Sequence, residues 1–299
     1  MDSQIQVSIL MVNYGTAALM QAAVDSVVRQ VPQQVGYEFV LVDNASQPDE
    51  VRQIPAQFPG QQIQVLCLDQ NVGFGGANNA GYALCHGAYI FFLNPDTLLR
   101  NDAVGILCSY LGQHPEVGAC GGNLFDAQGL PAHSHMLLPP SLKLEWSILF
   151  GDRWVEWWCG RSFSHNYTGQ PLEVAYITGA DLLVRRSVLE QVGLFDPAFF
   201  MYYEETDLCK RIHDAGYRVV NVPQSEIVHL EGASFSQQAR REHLKAQSRR
   251  LYYRKHLSRC EALACYAVLT LSACLHWCWH LLSGHRLQRA YWETVLREM

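Results

Sequence analysis

VSILMVNYG (residues 7–15) is the stretch on which the fold turns. A short, uncharged, largely apolar run stops at Asn13-Tyr14-Gly15, the pattern of a strand buried on both faces. Thr16 is placed to cap a following helix that reaches about Gln30 with apolar residues at helical spacing. Outward from there the alternation repeats. Phe39–Val42 reads as a second strand closed by Asp43-Asn44-Ala45-Ser46, Ile63–Leu68 as a third, and Tyr89–Leu93 as a fourth closed by Asn94-Pro95-Asp96. A glycine-rich segment, Asn71–Gly76, opens a helix to about His86, Asp102 opens another, and Val117–Gly121 is a further short strand. Strands alternating with helices predict a mainly parallel sheet covered on both faces. Ligands of such sheets sit beyond the carboxyl ends of the strands, where all three polar clusters fall.

The composition fits a large buried core. The chain has 299 residues, 49% hydrophobic and 17% charged, with a net charge of -6, which offers nucleic acid no general attraction. Charge is unevenly spread. Eight Lys/Arg and a single acid, Glu242, lie between Ala239 and Arg259, so the rest of the chain holds 14 bases and 27 acids, a net of −13. Ten cysteines occur without a CxxC pair, which argues against a zinc knuckle or a thioredoxin-like site. Most lie in apolar runs and are expected to behave as small hydrophobes in a reducing cytosol.

The second half is less regular. Phe125 to about Gln170 is a Pro/His/Trp-rich stretch with Trp146, Trp154, Trp157 and Trp158. A strand at Val174–Ile177 then leads through Thr178-Gly179-Ala180-Asp181 to a helix around Ser187–Val192. Thr206–Ala215 reads as a helix stopped by Gly216, and Arg218–Val222 and Ile227–His229 as short strands.

Several residues could carry chemistry. Asp96, at a strand end, could hold a divalent cation against a diphosphate, or simply cap a turn. Asp43 and Asn44 could meet a ligand or form an Asx turn. The glycines of Asn71–Asn79 permit close backbone approach to phosphate, yet lack full GxGxxG spacing after the first strand, which disfavours a dehydrogenase. In Phe199–Asp207, Glu204, Glu205 and Asp207 stand among aromatics at a helix start. First-turn acids often only complement the helix dipole. The crowded apolar setting here should raise a carboxylate's proton affinity, which suits a general base. His229 ends a strand, and would complete an oxygen/nitrogen metal shell only if the fold brings it to Asp96.

Six segments in order, VSILMVNYG, VLVDNAS (40–46), NVGFGGANNAG (71–81), FFLNPD (91–96), ITGADLLVRRSVLEQVGLFD (177–196) and FFMYYEETDLCKRIHDAGYRV (199–219), make residues 7 to 234 resemble family 2 glycosyltransferases, with bacterial rhamnosyltransferase-like members nearest. The resemblance implies a GT-A fold, a nucleotide-diphosphate sugar donor, a divalent cation (Mg or Mn) and inversion at the anomeric carbon. Carried over by position, Asn13, Tyr14, Asp43 and Asn44 would line the nucleotide pocket, with Gly73, Gly76 and Asn79 along the donor. Asp96 would bind metal as the remaining acid of a DxD motif whose first acid is Asn94 here, and His229 would add a ligand. Glu205 matches the general base, commonly Asp, with Glu204 as its rival. Asp181 and Asp207 are expected near the acceptor. Transfer to a saccharide or polyprenyl-linked saccharide in cell-surface polysaccharide synthesis follows. The rival functions are a sugar nucleotidyltransferase, whose basic phosphate loop after the first strand is missing, and a non-catalytic nucleotide-sugar scaffold, which would not need the intact acids.

The expected organisation is a catalytic domain over residues 1–235 and a basic, then apolar, helical appendage over 236–299. Ala262–His285 has no Asp, Glu, Lys or Arg and is long enough to cross a bilayer. Its His, Ser and Thr residues favour lying on an anionic membrane surface through residues 239–285, at the cytoplasmic face of the cell membrane. Packing on the domain or in a homodimer, and a true span, are the other two readings.

Overall fold

The computed structural model describes residues 5–32, 34–150, 162–230, 238–283, 292–293 and 295–297. Trp154, Trp157, Trp158, Cys159, Ser234 and the expected boundary at 235/236 lie outside the described residues. The first half follows the expected alternation: β1 (Val7–Asn13), α1 (Ala17–Gln30), β2 (Tyr37–Asp43), α2 (Pro48–Gln57), β3 (Ile63–Cys67), α3 (Gly73–Tyr82), β4 (Tyr89–Leu93), β5 (Thr97–Leu99), α4 (Ala103–Gln113) and β6 (Val117–Phe125). After β7 (His135–Met136) and α5 (Leu142–Phe150) come β8 (Leu172–Glu173), β9 (Tyr176–Ile177), β10 (Asp181–Arg185), α6 (Arg186–Val192), α7 (Glu204–Asp214) and β11 (Arg218–His229). Two long helices close the described chain, α8 (Gln238–His256) and α9 (Arg259–Leu282).

The sheet runs β3-β2-β1-β4-β10-β6-β11-β5, with β8 also on β11. β1 pairs in parallel with β2 and β4, whereas β10 lies antiparallel between β4 and β6. This is a mixed α/β sheet, mainly parallel as the alternation predicts, with β10, β5 and β8 as antiparallel members. Ile9, Met11, Phe39, Leu41 and Phe91 face α1, α2 and α4 through Met20, Val24, Ile54 and Leu107. Leu10, Val40, Val42, Phe92 and Leu182 face α3, α6 and α7 through Ala77, Leu189, Leu208 and Ile212. Each side chain of this size, once buried, contributes about 1.5–3 kcal/mol.

Four expectations shift. The Thr16 hydroxyl does not cap α1; it donates to Asn13 Oδ1 at 3.0 Å, and the Thr16 amide donates there at 2.8 Å. Residues 181–185, to which the sequence pattern assigns no strand, are the central antiparallel strand. A turn-like TGAD prefix and two arginines mask that strand, and those arginines bind backbone carbonyls: Arg185 Nε to Val117 at 2.8 Å and Arg186 Nε to Gly87 at 2.7 Å. The segments at 218–222 and 227–229 form one strand with a register shift between Asn221 and Glu226. α7 begins at Glu204 rather than Thr206, which makes both glutamates helical.

The C-terminal helices are built onto the domain. Phe199, Tyr252, Tyr253 and Cys265 form a third small core, and the Tyr253 hydroxyl donates to buried Glu145 on α5 at 2.5 Å. Asp207, fully buried, receives Arg211 Nε at 2.9 Å, Lys255 Nζ at 2.8 Å and His256 Nε2 at 2.7 Å. α9 is long and apolar enough to cross a membrane, and its outer face leaves Leu263, Leu275, Trp279 and Leu282 exposed. Cys260, Cys274 and Cys278 are exposed on the same helix, unlike buried Cys85, Cys108, Cys120, Cys209 and Cys265.

Burial alone would raise the Asp207 carboxyl, but His256, Lys255 and Arg211 hold it down at about 2. A depressed carboxyl stabilises the fold above its unfolded value and loses that contribution as pH falls towards about 2. Asp207→Asn should therefore cost about 2–4 kcal/mol at pH 7 and flatten the loss of stability between pH 4 and 2, read by denaturant unfolding. An unchanged acid limb would show that Asp207 does not anchor α8.

Candidate active site

Polar residues at the ends of β1, β2 and β4 meet the segment before α7 and the first turn of α8. Between them lies a cleft of about 270 Å³ lined by Tyr14, Asn44, Gly73, Asn94, Asp96, His229, Phe200, Tyr202, Arg240 and Arg241, among others. A second chamber of about 150 Å³ shares Phe74, Asn94, Met201, Tyr202 and His229, and adds Thr178, Gly179, Glu204 and Glu205.

Asp96 and His229 do meet. β5 turns back after Asn94-Pro95-Asp96 and pairs antiparallel with the end of β11, setting His229 opposite Thr97. His229 Nε2 then lies 3.3 Å from Asp96 Oδ1 and 3.4 Å from Asn94 Nδ2. Asn94 Oδ1 is buried without a hydrogen-bond partner. Among the described residues no group of three or more His, Cys, Asp or Glu is arranged so that its own side chains alone could hold a metal ion.

Asn13 and Asp43 sit behind this cleft rather than on its wall. Asn13 Nδ2 donates to Asp43 Oδ1 at 2.7 Å, and the same carboxylate accepts the Ser46 amide at 2.9 Å, the Ser46 hydroxyl at 2.8 Å and the Gln47 amide at 2.9 Å. Burial raises the Asp43 carboxyl, yet these bonds bring it below the usual carboxylate value. Asn44, one residue on, reaches the glycine loop: its Nδ2 donates to Asn71 Oδ1 at 3.0 Å and its Oδ1 accepts the Val72 amide at 3.0 Å.

Gly73 has φ +80°, and a Cβ there would stand 2.2 Å from the Phe200 carbonyl oxygen. That oxygen accepts the Phe74 amide at 3.0 Å. The glycine loop thus presses directly on the segment that presents the acids. Gly76 and Asn79 lie farther along α3 and line neither chamber; Asn79 braces Phe195 by donating to its carbonyl at 2.7 Å and accepting its amide at 3.1 Å.

Tyr202 and Tyr203, just before α7, both adopt left-handed backbone, with φ 69° and 68°. Non-glycine residues there store about 1–3 kcal/mol each, held by their surroundings. α8 supplies the hold: Ser248 donates to the Met201 carbonyl at 2.8 Å, Lys245 sits 5.6 Å over the Tyr202 ring, and Tyr252 packs on Tyr203 at 5.7 Å. The two strained residues aim Glu204 and Glu205 into the second chamber.

The glutamates differ. Glu204 is buried with Oε2 unpartnered; burial, then the neighbouring Glu205 charge, raises it well above the ordinary value. Glu205 is only partly covered, and burial pushes it up to about 7 against the pull of the α7 amides and Thr206. Asp207 faces α8 and joins neither chamber. Asp181 is fully buried in the sheet, accepting the Gly122 amide at 2.6 Å, and burial raises its carboxyl far above normal. Arg240, Arg241 and the Phe200–Tyr202 wall were not anticipated as site residues. The arginines belong to a basic run for which membrane contact is favoured over packing on the domain, and nothing in their spacing signals that the chain returns to the cleft.

Gly73→Ala should drive the Phe200 segment outward, costing about 1–3 kcal/mol from the backbone alone and disabling the site, measured by thermal melting and turnover. Wild-type behaviour in both would show the contact to be incidental. Residues 8–193 match the family described as "Glycosyl transferase family 2". The chain is 28% identical to the N-acetylglucosaminyl-diphospho-decaprenol L-rhamnosyltransferase of Mycobacterium tuberculosis, across 65% of this chain and 67% of that one. It is 29% identical to the rhamnosyltransferase WbbL of Escherichia coli, across 62% and 72%. The mannosyltransferase PcManGT of Pyrobaculum calidifontis, solved with GDP-Man and Mn2+, superposes with a TM-score of 0.58 at 17% identity, covering 98% of this chain and 84% of that structure, which makes the fold GT-A. With more than half its length under the family match, and the strand-end cleft where such a fold binds ligand, the chain belongs to glycosyl transferase family 2 and is a glycosyltransferase.

Proposed function

We propose that this glycosyltransferase moves a sugar, rhamnose first among candidates, from a nucleotide-diphosphate donor to a saccharide or lipid-linked saccharide, with inversion and with Glu205 as general base. The observation that carries the reading is the Glu205 carboxylate, raised to about 7, in a chamber also lined by His229, which lies 3.3 Å from Asp96. The named activities of the two rhamnosyltransferase relatives favour the donor and, for one, the lipid-linked acceptor.

Asp96 and His229, with Asn94 Oδ1 unpartnered beside them, fit a divalent cation and are the residues that would hold it. When bound, the ion supplies positive charge against the diphosphate. This chain's own residues do the rest. Asn44 and Gly73 hold the cleft wall against which the donor lies. Glu204, kept protonated by burial, leaves Glu205 free to ionise near neutrality. Glu205 takes the proton of the acceptor hydroxyl as the new oxygen–carbon bond forms. The bond from the anomeric carbon to the diphosphate breaks on the opposite side, its electron pair leaving with the nucleoside diphosphate.

A base must be deprotonated to act, so kcat should rise through pH 7 and fall about tenfold per unit below it. Glu205→Gln should lower kcat by about 10²- to 10⁴-fold while donor binding persists. A Gln variant with wild-type turnover would remove Glu205 from the role. The reading as a whole is tested by a thermal-shift screen of dTDP-rhamnose and UDP- and GDP-sugars with Mg²⁺ or Mn²⁺, since selective binding raises apparent stability. A chain that responds to no nucleotide sugar would sink it.

A lipid-linked acceptor places the enzyme at a membrane surface, and the exposed Leu275, Trp279 and Leu282 face of α9 beside the basic α8 supports that placement. Wild-type protein should float with anionic vesicles, and a variant with Leu275, Trp279 and Leu282 changed to Ser should not. Equal flotation would remove α9 from membrane contact, and a dimer dissociated by the same variant would identify a second chain as its cover instead.

A further inference from the structure

The cleft has a charge problem that the catalytic core does not solve. A nucleoside diphosphate is a multivalent anion, and the core's fixed charge on the larger chamber is Asp96, which repels it. Among the described residues, the Lys or Arg side chains lining that chamber are two, Arg240 and Arg241, and neither belongs to the core. Both come from the first turn of α8. The second chamber has no Lys or Arg in its described lining.

The two arginines are held by a rigid element. α8 is fastened along its length: Lys245 over Tyr202, Ser248 on the Met201 carbonyl, Tyr252 against Tyr203, and Lys255 and His256 on buried Asp207. Arg241 also lies beside the Tyr202 hydroxyl, which it draws down against the upward effect of burial. The helix that braces the strained Tyr202–Tyr203 pair therefore also brings guanidinium groups into the lining of the chamber that holds Asp96. Guanidinium forks match phosphate oxygens and keep their charge at any working pH.

We infer that Arg240 and Arg241 form the diphosphate-binding wall of the donor site, so that α8 completes the active site rather than serving only as a basic membrane appendage. The inference rests on the nucleotide-diphosphate donor of the proposed function. These are binding residues, and their effect belongs in donor affinity: KM for donor rises, and the pH limb set by Glu205 stays in place.

The test is isothermal titration of the full-length protein with dTDP, UDP and GDP, in EDTA and in Mn²⁺, alongside thymidine, uridine and guanosine. Arg240→Gln and Arg241→Gln should each weaken the best-bound diphosphate by about tenfold, most plainly in EDTA. The double variant should also lose most of the salt dependence of binding, while affinity for the matching nucleoside holds. The double Arg→Lys variant should recover part of the affinity, and unliganded melting temperature separates a binding effect from damage to α8. Unchanged diphosphate affinity in the double Gln variant would overturn this inference alone, as would equal weakening of nucleoside and diphosphate. Wild-type protein that binds no nucleoside diphosphate would overturn the donor reading and this inference with it.

Discussion

The carbonyl oxygen of Phe200 is pressed between the Cα of Gly73 and the amide of Phe74, and the site is assembled around that contact. On one side stands the glycine loop, tied through Asn44 to the end of β2. On the other begins the Met201–Tyr203 segment, whose left-handed turn delivers two glutamates to the start of α7. A side chain at residue 73 would separate the two. Backbone meeting backbone at this distance is tolerable only where one partner has no Cβ.

Strain of this kind persists only where surrounding structure over-determines it. Here the surroundings come from far along the chain. α8 lies across the Tyr202–Tyr203 pair, held at one end by a hydroxyl on the Met201 carbonyl and at the other by the Asp207 ion cluster. Asp207 is three residues from Glu204 and shares its helix, yet the two carboxylates have opposite fates. Glu204 is buried without a cation and kept protonated, whereas Asp207 is buried against Lys255, Arg211 and the His256 ring and kept charged. Position relative to α8 makes the difference, because burial favours the neutral carboxyl unless opposite charge is supplied.

The same division runs through the acidic and amide residues that the motifs single out. Asp96 and Glu205 open onto the cleft, and Asn44 forms part of its wall. Asp43, Asn13, Asn79 and Asp181 are instead turned inward, holding backbone or each other. Their motif positions place them at the right strand ends without saying which way a side chain points. For a carboxylate at a strand end, a pattern of bonds to amides two to four residues on makes a turn, whereas open lone pairs make a ligand. That distinction is made by the tertiary structure.

Much of the fold was legible in the chain itself, because its signals are local. Apolar runs of four to six residues, ended by Asn or Asp and followed by helical spacing, dictate buried parallel strands here. β10 escaped because an antiparallel strand with a turn-like prefix and an Arg-Arg end carries no such local mark. The acids at the head of α7 and the cation-suited Asp96 could be named for the same local reason. Their grouping could not. His229 reaches Asp96 only because β5 doubles back onto β11, and Arg240 and Arg241 reach the cleft only because α8 is drawn in by Asp207 and Met201. Residue order specified the chemistry that each segment could supply. Long-range packing, in which burial and ion pairing select one arrangement, decided which of those groups share a site.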